Sequence, residues 1–174
     1  PPPESPLSQT TPARRPLALV TGASSGIGLE LAKLCAEAGH DLLLAADRPL
    51  GEATATLRAA GAAVEEVQAD LATTEGVDRL LAALRGRPVA ILCANAGHGL
   101  GHAFLDQAWA DIRHVIDINV TGTVYLLHRL GAQMRQAGGG RILVTGLIAG
   151  YTPQPFQAVY HATKAFVDNF AIAF

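Results

Sequence analysis

Cysteine and lysine are both scarce in this sequence of 174 residues. The two cysteines, Cys35 and Cys93, stand far apart in apolar segments, which excludes a disulfide framework and a cysteine zinc site. We therefore predict two buried free thiols in a reducing compartment, a cytoplasmic location and no metal. Lys33 and Lys164 are the only lysines among 13 basic residues, so a lysine at position 164 of a chain that otherwise uses arginine suggests a specific role.

Two further absences each exclude a class of protein. No run of about 18 apolar residues occurs, so no membrane-spanning helix is predicted. The formal net charge of −2 and the pI near 6.3 lack the basic character of a nucleic-acid-binding surface. Because 49% of the residues are hydrophobic and only 16% are charged, we predict one globular domain with a substantial core.

The N-terminal residues predict a disordered tail, and the C-terminal residues indicate a truncated helix. Residues 1–16 contain six prolines and no hydrophobic periodicity, which predicts a disordered tail, and they lack the apolar core of a signal peptide. The first residue is not methionine, which indicates a processed or cut start. The last residues, "NFAIAF", contain no glycine, proline or capping residue to end a helix, which indicates a truncated chain.

Between these ends, strand-like and helix-like segments alternate. Strands are predicted at "PLALVTG", "DLLLAAD", "AAVEEVQAD", "PVAILCANAG" and "RILVTG". The first helix is predicted from the spacing of Ile27, Leu31, Leu34, Cys35 and Ala38. Further helices are predicted at 51–60, 74–85, about 108–136 with a break near Asn119, and 155–174. This alternation predicts an α/β fold with a parallel sheet covered by helices on both faces, whose ligands bind at the carboxyl ends of the strands.

The stretch "TGASSGIG", residues 21–28, follows the first strand and opens the first helix. Gly22 allows a tight turn, Gly26 allows a phosphate to approach the backbone, and Gly28 allows the helix to pack on the strand. The helix N-terminus presents free N–H groups and a positive dipole end to a pyrophosphate. A purely structural turn is the alternative. The residues predicted to bind a cofactor here are Gly22, Ser24, Ser25, Gly26, Ile27 and Gly28.

Asp47 ends the second strand, about twenty residues after the glycine loop. A carboxylate at that place accepts hydrogen bonds from ribose hydroxyls and repels a 2′-phosphate, which favours NAD. The adjacent Arg48 suits a 2′-phosphate and favours NADP. We therefore predict NAD or NADP as the cofactor, with a slight lean to NAD from Asp47. A solvated turn residue is the alternative interpretation of Asp47.

The cofactor segments resemble those of the short-chain dehydrogenase/reductase family. "TGASSGIG" looks like the family's cofactor loop. "NAG", formed by Asn95, Ala96 and Gly97, resembles its motif at the end of the fourth strand, beside the cofactor. "ADL", which ends in Asp70 and Leu71, resembles the segment that contacts adenine. By this resemblance, all five residues are predicted cofactor ligands.

The catalytic segments resemble the same family in the same order along the chain. Asn119 in "DINVTGT" matches the asparagine that breaks the long helix, and "YHATK" resembles the family's Tyr-x-x-x-Lys pair, Tyr160 and Lys164. The resemblance runs over residues 17–174 and implies a Rossmann-type, doubly wound NAD(P)-binding domain. The family continues with two more strands and a substrate loop, which this sequence lacks, so the domain is expected to be incomplete at its C-terminus.

The resemblance implies an NAD(P)-dependent oxidoreductase that interconverts a small-molecule carbonyl and an alcohol by hydride transfer. Tyr160 is then the general acid/base, Lys164 holds the ribose and lowers the Tyr160 pKa, and Asn119 supports a water relay. The spacing of Tyr160 and Lys164 supports part of this assignment without the resemblance. A free phenol has a pKa of about 10, so it needs a nearby positive charge to ionise near neutral pH. The alternatives are a surface lysine beside a packed tyrosine, and a helix-bend role for Asn119. Family members pair through two long helices, which implies a homodimer or homotetramer.

Leu147 departs from the family pattern. The family has a serine 13 positions before the tyrosine, whose hydroxyl binds the substrate oxygen, and leucine offers no such bond. Loss of one such donor predicts a rate lower by about 10²–10³, equivalent to about 3–4 kcal/mol. Thr145 is expected to point elsewhere. Two other functions therefore stay open, a nucleotide-binding pseudoenzyme and an oligomerising fragment. The candidate substrate-pocket residues are Leu147, Tyr151, Phe156 and His98.

Overall fold

The protein is described by a computed structural model over residues 15–59 and 61–174. Most of the predicted disordered tail falls on residues 1–14 and lies outside the described residues. Five parallel strands form one sheet in the order β3-β2-β1-β4-β5. The strands are β1 (Leu17–Thr21), β2 (Asp41–Ala46), β3 (Val64–Gln68), β4 (Val89–Ala94) and β5 (Arg141–Val144). The strand order reverses between β1 and β4, which places a ligand crevice at their carboxyl ends.

Helices cover both faces of this sheet, so the predicted doubly wound α/β fold is confirmed. They are α1 (Gly26–Glu37), α2 (Gly51–Ala59), α3 (Thr74–Ala83), α4 (Trp109–Ile116), α5 (Thr123–Gln136) and α6 (Ala158–Ala173). Successive side chains of a strand point to opposite faces. Leu19 and Leu43 accordingly join the core under α3 and α5, while Ala18 and Leu42 join the core under α1 and α2. No helix within the described residues is long and apolar enough to cross a membrane.

The predicted apolar face of α1 is partly wrong. Ile27 and Leu34 are 62% and 60% exposed, whereas Ala32, Cys35 and Ala36 are buried against the sheet. Small side chains let the helix axis lie close to the strands, so the face with the smaller residues is the one that packs. Ile27 is therefore free to line the cleft above the sheet.

One predicted helix feature agrees with the structure and one differs. The predicted break near Asn119 is present as a π-helical segment, Asp117–Gly122, that separates α4 from α5 and contains the buried Asn119. Such single π turns are often found at functional sites. The last helix begins at Ala158 and not at residue 155, because Phe156 adopts a left-handed backbone conformation (φ +63°) that no helix accommodates.

The cysteine prediction is confirmed for both residues. Cys35 on α1 and Cys93 on β4 are free and buried in the same core cluster. Contact with the Cys93 thiol lowers the pKa of Cys35 to about 7, a proximity that the distance between the two residues in sequence conceals. No group of metal-ligating side chains occurs among the residues that the structure covers.

Candidate active site

A cleft of about 310 Å³ opens at the carboxyl ends of the central strands. Most of the predicted site residues line it: Gly22, Ser24, Ser25, Ile27, Asp47, Asp70, Leu71, Asn95, Ala96, Gly97, Tyr160 and Lys164. Of the other three, Gly28 and Asn119 are buried and Gly26 is exposed at the start of α1. Five further residues line the cleft and were not among the predicted site residues. Three are apolar and two are polar: Ala46, Ala69, Ile118, His114 and Thr145.

The glycine loop at the start of α1 has the form of an anion site. Gly22 and Gly26 have left-handed backbones (φ +65° and +56°), and a side chain on Gly26 would meet open space. A Cβ on Gly28 would lie 2.1 Å from the Gly22 carbonyl oxygen, so only glycine fits there. Ser25, the N-terminal capping residue, makes no side-chain hydrogen bond to the helix. The first N–H groups of α1 are therefore left for a ligand such as a pyrophosphate.

Hydroxyl and amide groups tie the ends of β1, β4 and β5 together behind this loop. The Thr21 hydroxyl accepts hydrogen bonds from the backbone N–H groups of Asn95 (2.9 Å) and Ala96 (3.0 Å). The Asn95 side chain donates to the Thr21 carbonyl (3.3 Å) and accepts from the Thr145 hydroxyl (2.9 Å). Thr145 therefore lines this cleft, and its hydroxyl is already hydrogen-bonded to Asn95. This agrees with the expectation that Thr145 does not take the place of the missing serine hydroxyl.

Asp47 and Arg48 lie side by side at the end of β2. The Arg48 Nε is 3.3 Å from Asp47 Oδ1, and both side chains are mostly exposed. An exposed pair of this kind contributes little to stability. Both side chains are therefore available to a ribose, or to a phosphate on it, and the geometry does not separate NAD from NADP.

Lys164 lies one helical turn after Tyr160 on α6 and is only 7% exposed, so the alternative of a surface lysine is wrong. Its Nζ donates one hydrogen bond to the Thr145 carbonyl (2.8 Å) and lies 5.9 Å from the centre of the Tyr160 ring. An ammonium group has three donors. Two donors remain for a ligand in the cleft, which matches the two hydroxyls of a ribose.

The pKa of Tyr160 does not move in the expected direction. Burial raises it, and burial also lowers the pKa of Lys164, against the influence of the Asp168 carboxylate. The expected lowering of the Tyr160 pKa by Lys164 is therefore absent from the protein alone. Desolvation of the phenol dominates because the ammonium stands some distance from the ring and is held by the Thr145 carbonyl.

Asn119 uses its side chain to hold the loop after β4. Its Nδ2 donates to the His98 carbonyl (2.9 Å) and to the Thr163 hydroxyl (2.9 Å), and its Oδ1 accepts from the His98 N–H (3.0 Å). A Cβ on Gly97 would lie 2.6 Å from this Oδ1. These contacts match the alternative interpretation of Asn119 as a structural residue satisfied largely by the backbone.

A second cleft, of about 570 Å³, adjoins the first and shares Tyr160 with it as a lining residue. Leu147 lines it and is 40% exposed. The other proposed pocket residues separate: His98 lines the first cleft, and Tyr151 lines a third groove. Phe156 is exposed and lines none of these three. The full lining of the second cleft is Gly99, Leu100, Gly101, Leu147, Ile148, Ala149, Thr152, Gln154, Gln157, Tyr160 and His161.

Asp168, which sequence reasoning did not select, supports the backbone around Leu147. It lies one turn beyond Lys164, and its Oδ1 accepts from the Leu147 N–H (3.3 Å). A Cβ on Gly146 or Gly150 would lie 2.0 Å or 2.3 Å from a carboxylate oxygen of Asp168. Two glycines thus let the loop close onto this side chain, which fixes the direction in which residue 147 points.

The chain matches one family model, described as short chain dehydrogenase, over residues 16–174. It belongs to the short-chain dehydrogenase/reductase family. This short-chain dehydrogenase/reductase chain is 33% identical over 158 residues to 17-beta-hydroxysteroid dehydrogenase type 1 of Homo sapiens, covering 86% of itself and 48% of that protein. It is also 33% identical over 168 residues to a very-long-chain 3-oxoacyl-CoA reductase of Coprinopsis cinerea, covering 90% of itself and 48% of that protein. The chain spans about half the length of the curated relatives it matches.

Solved structures of the family share this fold. L-sorbose reductase from Gluconobacter frateurii, complexed with NADPH and L-sorbose, superposes with a TM-score of 0.85 at 33% identity, over 92% of this chain and 63% of that one. A short-chain dehydrogenase/reductase from Burkholderia phymatum in complex with NAD superposes with a TM-score of 0.84 at 32% identity, over 92% and 59%. Relatives of comparable similarity thus hold either dinucleotide.

Within this short-chain dehydrogenase/reductase chain, residue 147 faces the second cleft beside Tyr160 but carries no donor. Thr145 does not replace the missing hydroxyl, because its own hydroxyl is bound to Asn95. The geometry of the site is thus assembled, and one hydrogen-bond donor expected from the family pattern is missing.

Proposed function

We propose that this chain is the dinucleotide-binding and catalytic part of an NAD(P)-dependent oxidoreductase that interconverts a carbonyl and an alcohol by hydride transfer. The observation that carries the proposal is the position of Tyr160, which lines both clefts. The first cleft also contains the glycine loop, Asp47 and Lys164, and the second contains Leu147. A proton donor between a cofactor site and a substrate site suits this reaction.

The hydrogen-bond donors that line the first cleft suit the phosphates and ribose hydroxyls of a dinucleotide. The uncapped N–H groups of α1 suit a pyrophosphate, and the two remaining Lys164 donors suit ribose hydroxyls. Asp47 keeps a slight lean to NAD, because its carboxylate accepts from ribose hydroxyls and repels a 2′-phosphate. A reduced nicotinamide bound in this cleft supplies the hydride.

Tyr160 donates the proton to the carbonyl oxygen during reduction, and burial keeps its phenol protonated until then. The carbonyl carbon takes the hydride and its oxygen takes the proton, which gives the alcohol. Leu147, Leu100 and Ile148 give the second cleft an apolar part of its lining, which suits a carbonyl on a hydrophobic body. Relatives named for steroid and very-long-chain acyl substrates agree with that class.

A thermal shift titration with NAD⁺, NADH, NADP⁺ and NADPH tests the cofactor site. We expect at least one dinucleotide to stabilise the protein, by about 2.7 kcal/mol at a concentration 100 times its Kd. The rank order of the four then decides between NAD and NADP. An unchanged melting temperature with all four would contradict an intact cofactor site.

The ionisation of Tyr160 gives a second test, in the protein without ligand. Because burial raises the pKa of Tyr160, we expect its phenolate to form only above the ordinary value of about 10. Binding of NAD⁺ or NADP⁺ brings a positive ring into the cleft and is expected to lower that pKa. The measurement is the tyrosinate absorbance of the wild-type protein minus that of Tyr160→Phe, with and without dinucleotide. Ionisation of Tyr160 below pH 10 in the free protein would contradict the effect of burial alone, whereas no shift on saturation with dinucleotide would oppose the proposed function.

Leu147 favours a second candidate function, a nucleotide-binding pseudoenzyme that acts through partners. The surface of α6 suits association with another chain, because Phe166, Ile172 and Phe174 are exposed and Phe166, Phe170 and Phe174 stack along it. We retain the proposal of a homodimer or homotetramer through α5 and α6 under either function. Recovery of turnover by Leu147→Ser separates the two candidates.

A further inference from the structure

Cys35 and Cys93 bring two thiols together at a place that the proposed reaction does not use. Cys35 lies near the end of α1, and Cys93 lies on β4, in the sheet that α1 covers. Their side chains are buried in the same core cluster and are in contact. No other cysteine occurs in the sequence, so any disulfide within the chain joins these two residues.

Both cysteines line one groove, which is separate from the two clefts at Tyr160 and has a volume of about 310 Å³. The rest of its lining is apolar except for one arginine: Leu31, Leu34, Ala38, Ile91, Arg141, Ile142 and Leu143. Leu34 and Leu143 are 60% and 41% exposed, so the groove opens to solvent, whereas Cys35 and Cys93 are only 7% and 2% exposed. A small apolar molecule in this groove therefore meets the buried thiols.

The contact makes the two thiols unequal. Contact with Cys93 lowers the pKa of Cys35, against the effect of burial, whereas contact with Cys35 and burial both raise the pKa of Cys93. Cys35 therefore ionises first, and a thiolate is the form of cysteine that attacks an oxidant. A nucleophilic thiol beside a second, resolving thiol is the arrangement found in redox-sensitive cysteine pairs.

We propose that Cys35 and Cys93 form an oxidation site, at which an organic hydroperoxide bound in the apolar groove joins α1 to β4 by a reversible disulfide. The proposal does not depend on the proposed oxidoreductase function, because neither thiol lines the clefts at Tyr160. The groove favours an organic hydroperoxide over hydrogen peroxide, because its apolar lining removes the organic group from water.

The reaction has two steps. The Cys35 sulfur attacks the terminal oxygen of the hydroperoxide, the O–O bond breaks, and Cys35 becomes a sulfenic acid while an alcohol leaves. The Cys93 sulfur then attacks the Cys35 sulfur, the S–S bond forms, and the sulfenic hydroxyl leaves with the Cys93 proton as water. Two thiols thus lose two hydrogens and two electrons, and the hydroperoxide is reduced to an alcohol and water.

Intact-mass spectrometry of the folded, reduced chain tests the proposal. The chain is treated with an equimolar amount of cumene hydroperoxide, freed of oxidant, unfolded in urea and capped with N-ethylmaleimide. We expect a product that has lost two hydrogens and carries no maleimide, and that binds two maleimides after dithiothreitol. Because the thiols are already in contact, we expect the disulfide to form at least about 10-fold faster in the folded chain than in the urea-unfolded chain. An equal or lower rate in the folded chain would contradict the proposal.

Hydrogen peroxide is the matched oxidant for the role of the groove. We compare the ratio of the rate with cumene hydroperoxide to the rate with hydrogen peroxide in the folded and the unfolded chain. This ratio should be at least about 10-fold larger in the folded chain, because only the folded chain has the apolar groove. The same ratio in both states would overturn the choice of an organic hydroperoxide.

Two variants test the order of the steps. Cys93→Ser should stop at the sulfenic acid of Cys35, which dimedone traps, and Cys35→Ser should react no faster than the unfolded chain. The decisive outcomes are read on the wild-type chain, so they hold even where a variant does not fold. Unreacted thiols, a disulfide between two chains, or sulfinic and sulfonic acids in place of the internal disulfide would overturn the proposal.

Discussion

We expect Leu147→Ser to raise the rate of carbonyl reduction by about 10²–10³, equivalent to about 3–4 kcal/mol of transition-state stabilisation. Leu147 lines the second cleft together with Tyr160, and its N–H is held by Asp168. A serine at this position inherits the same fixed backbone, and its hydroxyl reaches into the same cleft. That hydroxyl supplies a donor to the oxygen on which negative charge develops.

The measurement is kcat for a panel of hydrophobic ketones at saturating NADH or NADPH, followed by nicotinamide absorbance. Leu147→Ala is the matched control, because it removes the same bulk without adding a donor. We expect the serine variant to exceed the alanine variant by most of the predicted factor. In the Leu147→Ser background, Tyr160→Phe should lower kcat by a factor of about 10²–10⁴, as expected for removal of a general acid. Equal rates for serine and alanine at position 147 would favour the pseudoenzyme.

The second large effect concerns the glycine loop. A Cβ on Gly28 would lie 2.1 Å from the Gly22 oxygen and 2.7 Å from Asn95 Nδ2, so Gly28→Ala forces the loop or the end of β4 to move. We expect dinucleotide affinity to fall at least about 100-fold. A ligand concentration that stabilises the wild-type protein by about 2.7 kcal/mol then stabilises the variant by only about 0.4 kcal/mol. Thermal shift measurements on both proteins, with and without dinucleotide, give this difference.

Gly51→Ala is the matched control for this change. Gly51 stands in the first turn of α2 and a Cβ there meets nothing within 4 Å. The same substitution at a helix start should therefore leave dinucleotide binding unchanged. If Gly28→Ala binds dinucleotide as tightly as Gly51→Ala does, the loop is not the pyrophosphate site.

The fold could be predicted where hydrophobic periodicity and chain-breaking residues such as glycine indicate the same element. The apolar run "DLLLAA" became β2, and the glycine after α1 marks its end within two residues. The buried face of α1 could not be predicted, because hydrophobicity favoured Ile27 and Leu34 while close packing on the sheet selected small residues. The start of α6 was wrong for a similar reason, since nothing in its composition signals the left-handed Phe156.

The candidate site could be predicted where its residues form short motifs. The residues that sequence reasoning missed act across long separations: Thr145 binds Asn95, His114 meets His98, and Asp168 holds the Leu147 loop. A single sequence contains no signal for such pairs. In the protein alone, burial raises the pKa of Tyr160, which the sequence could not show because the depth of burial and the position of the Lys164 ammonium are tertiary properties. The roles of the site residues, the oligomeric state and the location stay predictions.

A crystal structure of the chain with NAD⁺ or NADP⁺ tests the central claim most directly. We predict the pyrophosphate against the N–H groups of residues 22–28, and ribose hydroxyls within hydrogen-bond distance of Lys164 Nζ, which keeps its bond to the Thr145 carbonyl. Tyr160 should then separate the bound dinucleotide from the cleft that contains Leu147. A dinucleotide bound elsewhere, or one whose ribose makes no contact with Lys164, would contradict the proposed function.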